Sequence, residues 1–167
     1  MTTAARPPAT CVPTLRTASA NDSEFAFAVR ETAFARYAEL AVGWCETEER
    51  RLHARRFNAH DFRIITAAGV DVGVLAVRIE TDHMKVNQLF ILPEHQGKGM
   101  GAVCMQIVLD EARRLGLPVR LRVLKGNPRA LAFYLRVGFC VAGETDTHIL
   151  LVRGALPAAV AHPPRPA

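Results

Sequence analysis

The 167-residue sequence lacks several features that would assign it to a specialised class of protein. No apolar run approaches the roughly 18 to 20 residues that span a bilayer, so we expect no membrane-spanning helix. The amino-terminal stretch has an arginine but no continuous apolar core after it, which argues against a secretory signal. The four cysteines are scattered without a C-x-x-C pair and predict neither a metal site nor a disulfide framework. Free thiols are typical of a reducing cytosol, so we expect a cytoplasmic protein.

The charge of the chain is positive but dispersed. Lys and Arg number 21 against 16 Asp and Glu, which gives a formal net charge of +5 and a pI near 9.4. This excess favours an acidic partner, and nucleic acid, an anionic membrane and a multiphosphate cofactor all satisfy that condition. The sequence has no block of five or more basic residues, the usual mark of a nucleic-acid-binding arm. We therefore predict neither a nucleic-acid partner nor a membrane partner.

The length suits one compact α/β domain of the α+β type. We expect residues 12–153 to form this domain, between a flexible tail at 1–11 and a disordered tail rich in proline and alanine at 154–167. Apolar periodicity predicts the element order β-α-α-β-β-β-α-β-α-β-β and a mixed central sheet of about seven strands.

One crossover in this order indicates where a ligand would bind. The strand ending near Leu92, a helix over Met100–Leu115 and a strand over Val119–Leu124 form a β-α-β unit, so the two strands are predicted to be parallel. Ligands of such sheets tend to bind at the carboxyl ends of the parallel strands. The stretch QGKGMG at 96–101 lies at that end of the first strand.

The glycines of this stretch favour a phosphate-binding turn. Gly97, Gly99 and Gly101 would let a phosphate reach the unpaired N–H groups of the first helical turn, and Lys98 adds positive charge. A P-loop is excluded because its G-x-x-x-x-G-K-[ST] pattern is absent. The dinucleotide fingerprint is matched only weakly, because four residues separate the strand from the first glycine and the later acidic ribose ligand is missing. A glycine turn without a ligand remains the alternative.

A third pattern, Q/R-x-x-G-x-G/A, matches 96–101, and on these residues the sequence resembles the GCN5-related N-acetyltransferases. LFILPEHQGKGMG resembles their acyl-CoA motif, and NPRALAFYLRVGF at 127–139 resembles the motif that follows it. The likeness extends from about residue 15 to residue 153 and includes the element order. It implies a single domain of that fold, with a sheet splayed at the parallel strand pair, and acetyl-CoA as co-substrate.

The resemblance also implies roles for individual residues in binding the cofactor. The backbone of Leu89, Phe90 and Ile91 would pair with the pantetheine arm as if it were an added strand. Asn127 would contact the pantetheine, and it is also an ordinary N-cap before a proline. The residues implied to hold the pyrophosphate are Gln96, Gly97, Lys98, Gly99, Met100 and Gly101.

The family's chemistry leaves the general base open. Tyr134 would be the acid that protonates the leaving thiolate. Some members carry a glutamate where Lys85 falls in this chain, and lysine is unsuited to that role. The alternatives for the base are Glu80, His83, Glu46 and His148.

The acceptor is implied to be a primary amine of a small molecule or peptide. The segment 41–46 is implied to line the acceptor site, with Trp44 as a contact, and a core position is the alternative for Trp44. His148 alternates with apolar residues on a strand, which makes it a second candidate contact, and a solvent-facing position is its alternative. The predicted function is an N-acetyltransferase that works by direct attack in a ternary complex. A non-catalytic acyl-CoA-binding protein of the same fold is the alternative. The last two strands end in a free edge, which predicts a homodimer.

Overall fold

The computed structural model describes residues 12–34 and 45–154, and it confirms the predicted fold class and element order. The predicted tail at 1–11, residues 155–167 of the second predicted tail, and Trp44 lie outside the described residues. Among the helices that the structure describes, none has the length and apolar character needed to cross a membrane. The elements are β1 (Thr14–Thr17), α1 (Ser23–Phe34), α2 (Glu46–Arg56), β2 (Phe62–Ala67), β3 (Val70–Ile79), β4 (Met84–Ile91), α3 (Met100–Leu115), β5 (Val119–Leu124), α4 (Pro128–Arg136), β6 (Cys140–Glu144) and β7 (His148–Arg153).

The strands form one open, mixed, seven-stranded sheet in the order β1-β2-β3-β4-β5-β7-β6. β1 pairs antiparallel with β2, and β2 pairs antiparallel with β3. β4 pairs parallel with β5, as the crossover through α3 predicts. β7 is antiparallel to both of its neighbours, β5 and β6.

The described residues form two compact units. The first takes in the described part of Met1–Ala76 together with Gln88–Gln106. The second takes in Val77–Asn87 together with the described part of Ile107–Ala167. Because β3, β4 and α3 each begin in one unit and end in the other, both units are assembled from separate stretches of chain.

The core of the first unit forms where α1 packs on the sheet. Ala26 and Val29 of α1 are buried in one cluster with Phe62, Ile64 and Val74 of β2 and β3. Burying several aliphatic and aromatic side chains in this way contributes roughly 1.5–3 kcal/mol for each large side chain.

Contacts from α2 to α1 complete this unit. His53 is the buried polar residue of α2; its ring meets Phe27 edge-on at 5.4 Å, and its Nε2 lies 3.0 Å from Ser23 O. Arg30 Nη2 contacts Glu49 Oε2 at 2.8 Å, and Arg50 contacts Glu24. Burial lowers the pKa of His53, so the ring is neutral at pH 7 and Nε2–H donates to the carbonyl.

The second unit is built on β5, β7 and β6. Val119, Leu121 and Val123 alternate along β5 and are buried, as the period of two in a half-buried strand requires. Leu151 of β7 is opposite Leu121 and is also buried. Phe139 is a further buried side chain of this unit.

Candidate functional site

β4 has little pairing with β5. The parallel ladder consists of Met84 opposite Val119 and Lys85 opposite Arg120, at the start of both strands. Within the described residues, the rest of that edge of β4 has no ladder partner, in agreement with the predicted splay. Unpaired strand edges offer backbone N–H and C=O groups to a ligand.

The hydrogen bonds at the two ends of β4 go to different neighbours. Met84 N–H, at the start of the strand, donates to Pro118 O at 2.8 Å, whereas Leu92 N–H, directly after the strand, donates to Val72 O of β3 at 2.9 Å.

Gly73 lets the end of β4 approach β3 closely. A Cβ at this position would lie 3.1 Å from Ile91 Cα and would also clash with the carbonyl oxygen of Phe90. Sequence reasoning missed this residue, because the approach depends on how two distant segments pair and not on a local turn.

A single turn of 3₁₀-helix, Pro93–His95, joins β4 to the glycine stretch. Gln96 closes this turn through its N–H, which donates to Pro93 O at 3.2 Å. Its side chain reaches back, and Nε2 donates to Ile91 O at 2.7 Å. The predicted phosphate-binding Gln96 therefore fastens the loop to the end of β4, and its side-chain amide is already engaged.

The glycine loop itself is open. Gly97 and Gly99 have φ values of 75° and 80°, the left-handed region that favours glycine, and a Cβ at either would meet nothing within 4 Å. Lys98 is exposed, whereas the Met100 side chain is buried, so Met100 can offer a ligand only its backbone N–H. Gly97 and Gly99 therefore allow the left-handed backbone conformation and leave free space in front of the loop. Gly101 follows them in the first turn of α3.

The amino terminus of α3 follows this loop directly. Gly99 O accepts hydrogen bonds from the N–H groups of Ala102 at 3.1 Å and Val103 at 3.2 Å, so the intrahelical ladder begins there. The preceding N–H groups have no intrahelical acceptor, and the positive end of the helix dipole lies among them. A loop of this kind can bind an anion such as a phosphate.

Gln88, on β4 just before the three predicted backbone positions, carries an unsatisfied atom. Its Oε1 is the one buried side-chain nitrogen or oxygen in the described part of the chain without a hydrogen-bond partner. An orphaned carbonyl oxygen of this kind costs about 1–3 kcal/mol unless a donor is supplied. Sequence patterns gave no signal for Gln88, since an unsatisfied atom is visible only in three dimensions.

In the second unit, both ends of α4 are capped. Asn127 is the N-cap, and its Oδ1 accepts from Ala130 N–H at 2.9 Å, ahead of Pro128 at the first helical position. At the other end Gly138 has a φ of 86°, and its N–H donates to Leu135 O at 3.0 Å. The following N–H, of Phe139, also turns back into the helix, which makes this a Schellman motif.

Tyr134 is the buried residue of α4. Its ring meets the rings of Phe133 and Phe139 edge-on, at 5.0 Å and 5.6 Å. Its hydroxyl makes no hydrogen bond to a residue that the structure describes. Burial raises the pKa of Tyr134 to about 12, and the phenol is therefore a neutral proton donor at pH 7.

The predicted alternatives for a base have different surroundings. Glu46 Oε1 is paired with Arg50 Nη2 at 3.2 Å. His83 lies in the turn before β4, where its Nδ1 contacts Asp82 Oδ1 at 2.7 Å and Arg120 Nη1 lies 3.5 Å away. Across the described residues, no group of three His, Cys, Asp or Glu side chains could hold a metal ion.

The sequence profile of the Acetyltransferase (GNAT) family matches residues 23–139. The chain belongs to this family. As a GNAT chain it is similar to uncharacterized N-acetyltransferases of Mycobacterium tuberculosis and Mycobacterium bovis, each 34% identical over 85 residues. These matches cover 50% of this chain and 51% of each relative, so the chain spans about half the length of the curated relatives it matches.

Solved acetyltransferases share the fold of this GNAT chain. The PaiA N-acetyltransferase of Thermoplasma acidophilum, in complex with coenzyme A, has a TM-score of 0.69 at 19% identity, over 86% of this chain and 99% of that one. Arabidopsis thaliana Naa50, in complex with the bisubstrate analogue CoA-Ac-MVNAL, has a TM-score of 0.63 at 18% identity, over 86% and 99%. At these identities the likeness establishes the fold alone.

Proposed function

We propose that the protein is an acetyl-CoA-dependent N-acetyltransferase that moves an acetyl group to a primary amine by direct attack in a ternary complex. Membership in the acetyltransferase family supports the class of reaction. The observation that carries the proposal is the open glycine loop ahead of α3, where Gly97 and Gly99 hold left-handed conformations with empty space before them.

The residues of the first unit fit an acyl-CoA. Backbone N–H groups of Gly97, Lys98, Gly99, Met100 and Gly101, at the positive end of α3, suit a pyrophosphate. The unpaired edge of β4 at 89–91 suits the amide-bearing pantetheine arm. The arm would also bring the N–H donors that the buried oxygen of Gln88 lacks.

The second unit supplies the proposed acid. Tyr134 would give its proton to the sulfur as the thioester C–S bond breaks, and its raised pKa keeps that proton in place throughout the neutral range. Asn127, which caps α4 through its bond to Ala130, would contact the pantetheine. We also propose that Trp44 and His148 contact the acceptor amine.

The test is acetyl transfer to a panel of amines. Protein, acetyl-CoA and amines are mixed, and free thiol is followed. The panel holds amino acids, polyamines, aminoglycosides and peptides, and the solved relative bound to CoA-Ac-MVNAL supports including the peptide MVNAL. Thiol release above the hydrolysis background with any amine is the expected result. A CoA-dependent rise in melting temperature with no turnover would instead favour the non-catalytic binder, which Lys85 at the family's glutamate position permits.

Two further points belong to this proposal. The reaction is assigned to the cytoplasm, where the free cysteines Cys45, Cys104 and Cys140 would stay reduced. The protein is assigned as a homodimer, because β6 is one of the two edge strands of the described sheet and its Val141 side chain is 57% exposed. Light scattering at a monomer mass across micromolar concentrations would overturn the dimer.

A further inference from the structure

His148 lies at the carboxyl end of β5. It is the first residue of β7 and is paired with Leu124, the last residue of β5. Two backbone hydrogen bonds tie this corner to the start of α4: Lys125 N–H donates to Thr147 O at 2.9 Å, and Asn127 N–H donates to Leu124 O at 2.8 Å. Because ligands of sheets with parallel strands bind beyond the carboxyl ends of those strands, His148 stands where a substrate is expected.

The imidazole of His148 is held on one side only. The residue is half-buried, and its Nδ1 lies 2.7 Å from Thr147 Oγ1. Among the described residues, nothing hydrogen-bonds to Nε2. When Nδ1–H donates to the threonine hydroxyl, Nε2 carries the free lone pair of the neutral ring. This is the tautomer that a base acting through Nε2 requires, and the contact with Thr147 is compatible with it.

The charges around this ring keep it neutral. Burial lowers the pKa of His148, and Arg122 on β5 lowers it further. The other charged groups nearby are Lys125, whose Nζ contacts Glu144 Oε1 of β6 at 3.3 Å, and the exposed Asp146 in the turn between β6 and β7. A neutral imidazole near pH 7 is the form that accepts a proton.

The other candidates for the general base are less suitable. Glu80 and His83 flank the turn at the amino end of β4, where Glu80 N–H donates to His83 O at 2.8 Å. They are therefore not at the carboxyl end of a parallel strand. Glu46 is 59% exposed and paired with Arg50. Lys85 carries the wrong charge for a base at neutral pH.

We propose that His148 is the general base of the acetyl transfer, acting through Nε2. The proton of the acceptor ammonium passes to Nε2 and on to solvent, and the nitrogen lone pair then forms the new bond to the thioester carbonyl carbon. The attacking nitrogen still carries one proton more than an amide, and Nε2 accepts that second proton. The C–S bond then breaks, its electron pair goes to sulfur, and Tyr134 protonates that sulfur. The products are an amide and the free thiol, and both side chains re-equilibrate with solvent. This inference rests on the proposed function.

The experiment compares pH profiles of kcat/KM for the wild-type protein and His148→Gln, using the panel amine with the fastest thiol release. We expect the variant to lose about 100-fold or more at pH 7, with CoA affinity unchanged within about twofold. In the wild-type protein, kcat/KM should rise with pH at or below about pH 6.5. In the variant it should move to the amine's own pKa, about 8 for a peptide α-amine and about 10 for an alkylamine. Imidazole added to His148→Ala should restore part of the rate.

His83→Gln is the matched control, because it removes a histidine from the other end of a parallel strand, and its profile should follow the wild type. Thr147→Val should reduce the rate less than His148→Gln, since it removes the hydroxyl in contact with Nδ1 and leaves the base. A His148→Gln profile that coincides with the wild type overturns the assignment while the proposed function stands. Absence of transfer by the wild-type protein to every amine overturns both.

Discussion

The ring of Phe139 meets the ring of Tyr134 edge-on, with centroids 5.6 Å apart and planes inclined at 76°. The same two residues are joined through the backbone, because Phe139 N–H donates to Tyr134 O at 3.0 Å. Gly138, in left-handed conformation between helix and strand, permits both contacts. The Gly-Phe pair that ends the motif therefore fixes the orientation of the proposed acid by closing the helix that carries it.

Tyr134→Phe should lower kcat at least about tenfold with little change in CoA affinity, because it keeps the ring and removes the proton donor. The measurement is single-turnover acetyl transfer, so that product release does not mask chemistry. The raised pKa of Tyr134 means that its phenol stays protonated in the folded protein while the unfolded chain ionises near pH 10. Its contribution to stability should therefore be present below pH 10 and be lost above it. An unchanged single-turnover rate would remove Tyr134 from the mechanism.

Gly99→Val should weaken CoA binding at least about tenfold, because a branched side chain would fill the space in front of the loop. Forcing a side chain into the left-handed region costs about 1–2 kcal/mol, which should lower the melting temperature by a few degrees. Gly116→Val is the matched control, since Gly116 has a φ of 68° and equally open space but follows the other end of α3. It should lose similar stability and keep its CoA affinity. Equal CoA affinity in both folded variants would show that Gly99 serves the turn alone.

Gln88→Met should make the ligand-free protein more stable and its ligand complex weaker. The substitution removes a buried oxygen without a donor, so the free energy of unfolding should rise by about 1 kcal/mol. The dissociation constant of CoA should increase about fivefold or more, because the pantetheine arm loses an acceptor. Calorimetric titration and thermal melts of the same samples measure both. Increased stability with unchanged CoA affinity would count against a ligand contact.

His53 should make the stability of the protein sensitive to mild acid. Burial lowers its pKa in the folded state, so the unfolded chain takes up a proton that the folded chain refuses. The free energy of unfolding should therefore fall as the pH drops below about 6.5. His53→Gln can still donate to Ser23 O but cannot be protonated, so urea melts at pH 7.5 and pH 5.5 should differ less than those of the wild type. If the free energy of unfolding falls equally in both proteins between pH 7.5 and pH 5.5, this role of His53 is refuted.

Much of the fold follows from local sequence patterns. The bounds of α3 and β5 are confirmed as predicted, because Gly116 and Pro118 end the helix and alternation marks the strand. The strand order was not predictable in this way, since the place of β7 between β5 and β6 depends on pairing between distant segments.

The same distinction between local patterns and distant pairing applies to the candidate site. The glycine loop, Asn127 and Tyr134 belong to continuous motifs and were found from the sequence. Gly73 and Gln88 were missed, because their importance arises from β4 meeting other elements. His148 stood among four alternatives until its register opposite Leu124 distinguished it.

The position of β7 has a consequence for how the chain is made. β5 and β6 do not touch as neighbours in the ladder; each pairs with β7, the last described strand to be synthesised. A nascent chain that ends at Glu144 therefore contains β5 and β6 but not β7, so the edges of both strands that pair with β7 have no partner. Non-local pairing of this kind is slow to form and exposes strand edges while it does so. A stop codon just before His148 would thus remove far more than one strand, since it would leave β5 and β6 without the neighbour that joins them.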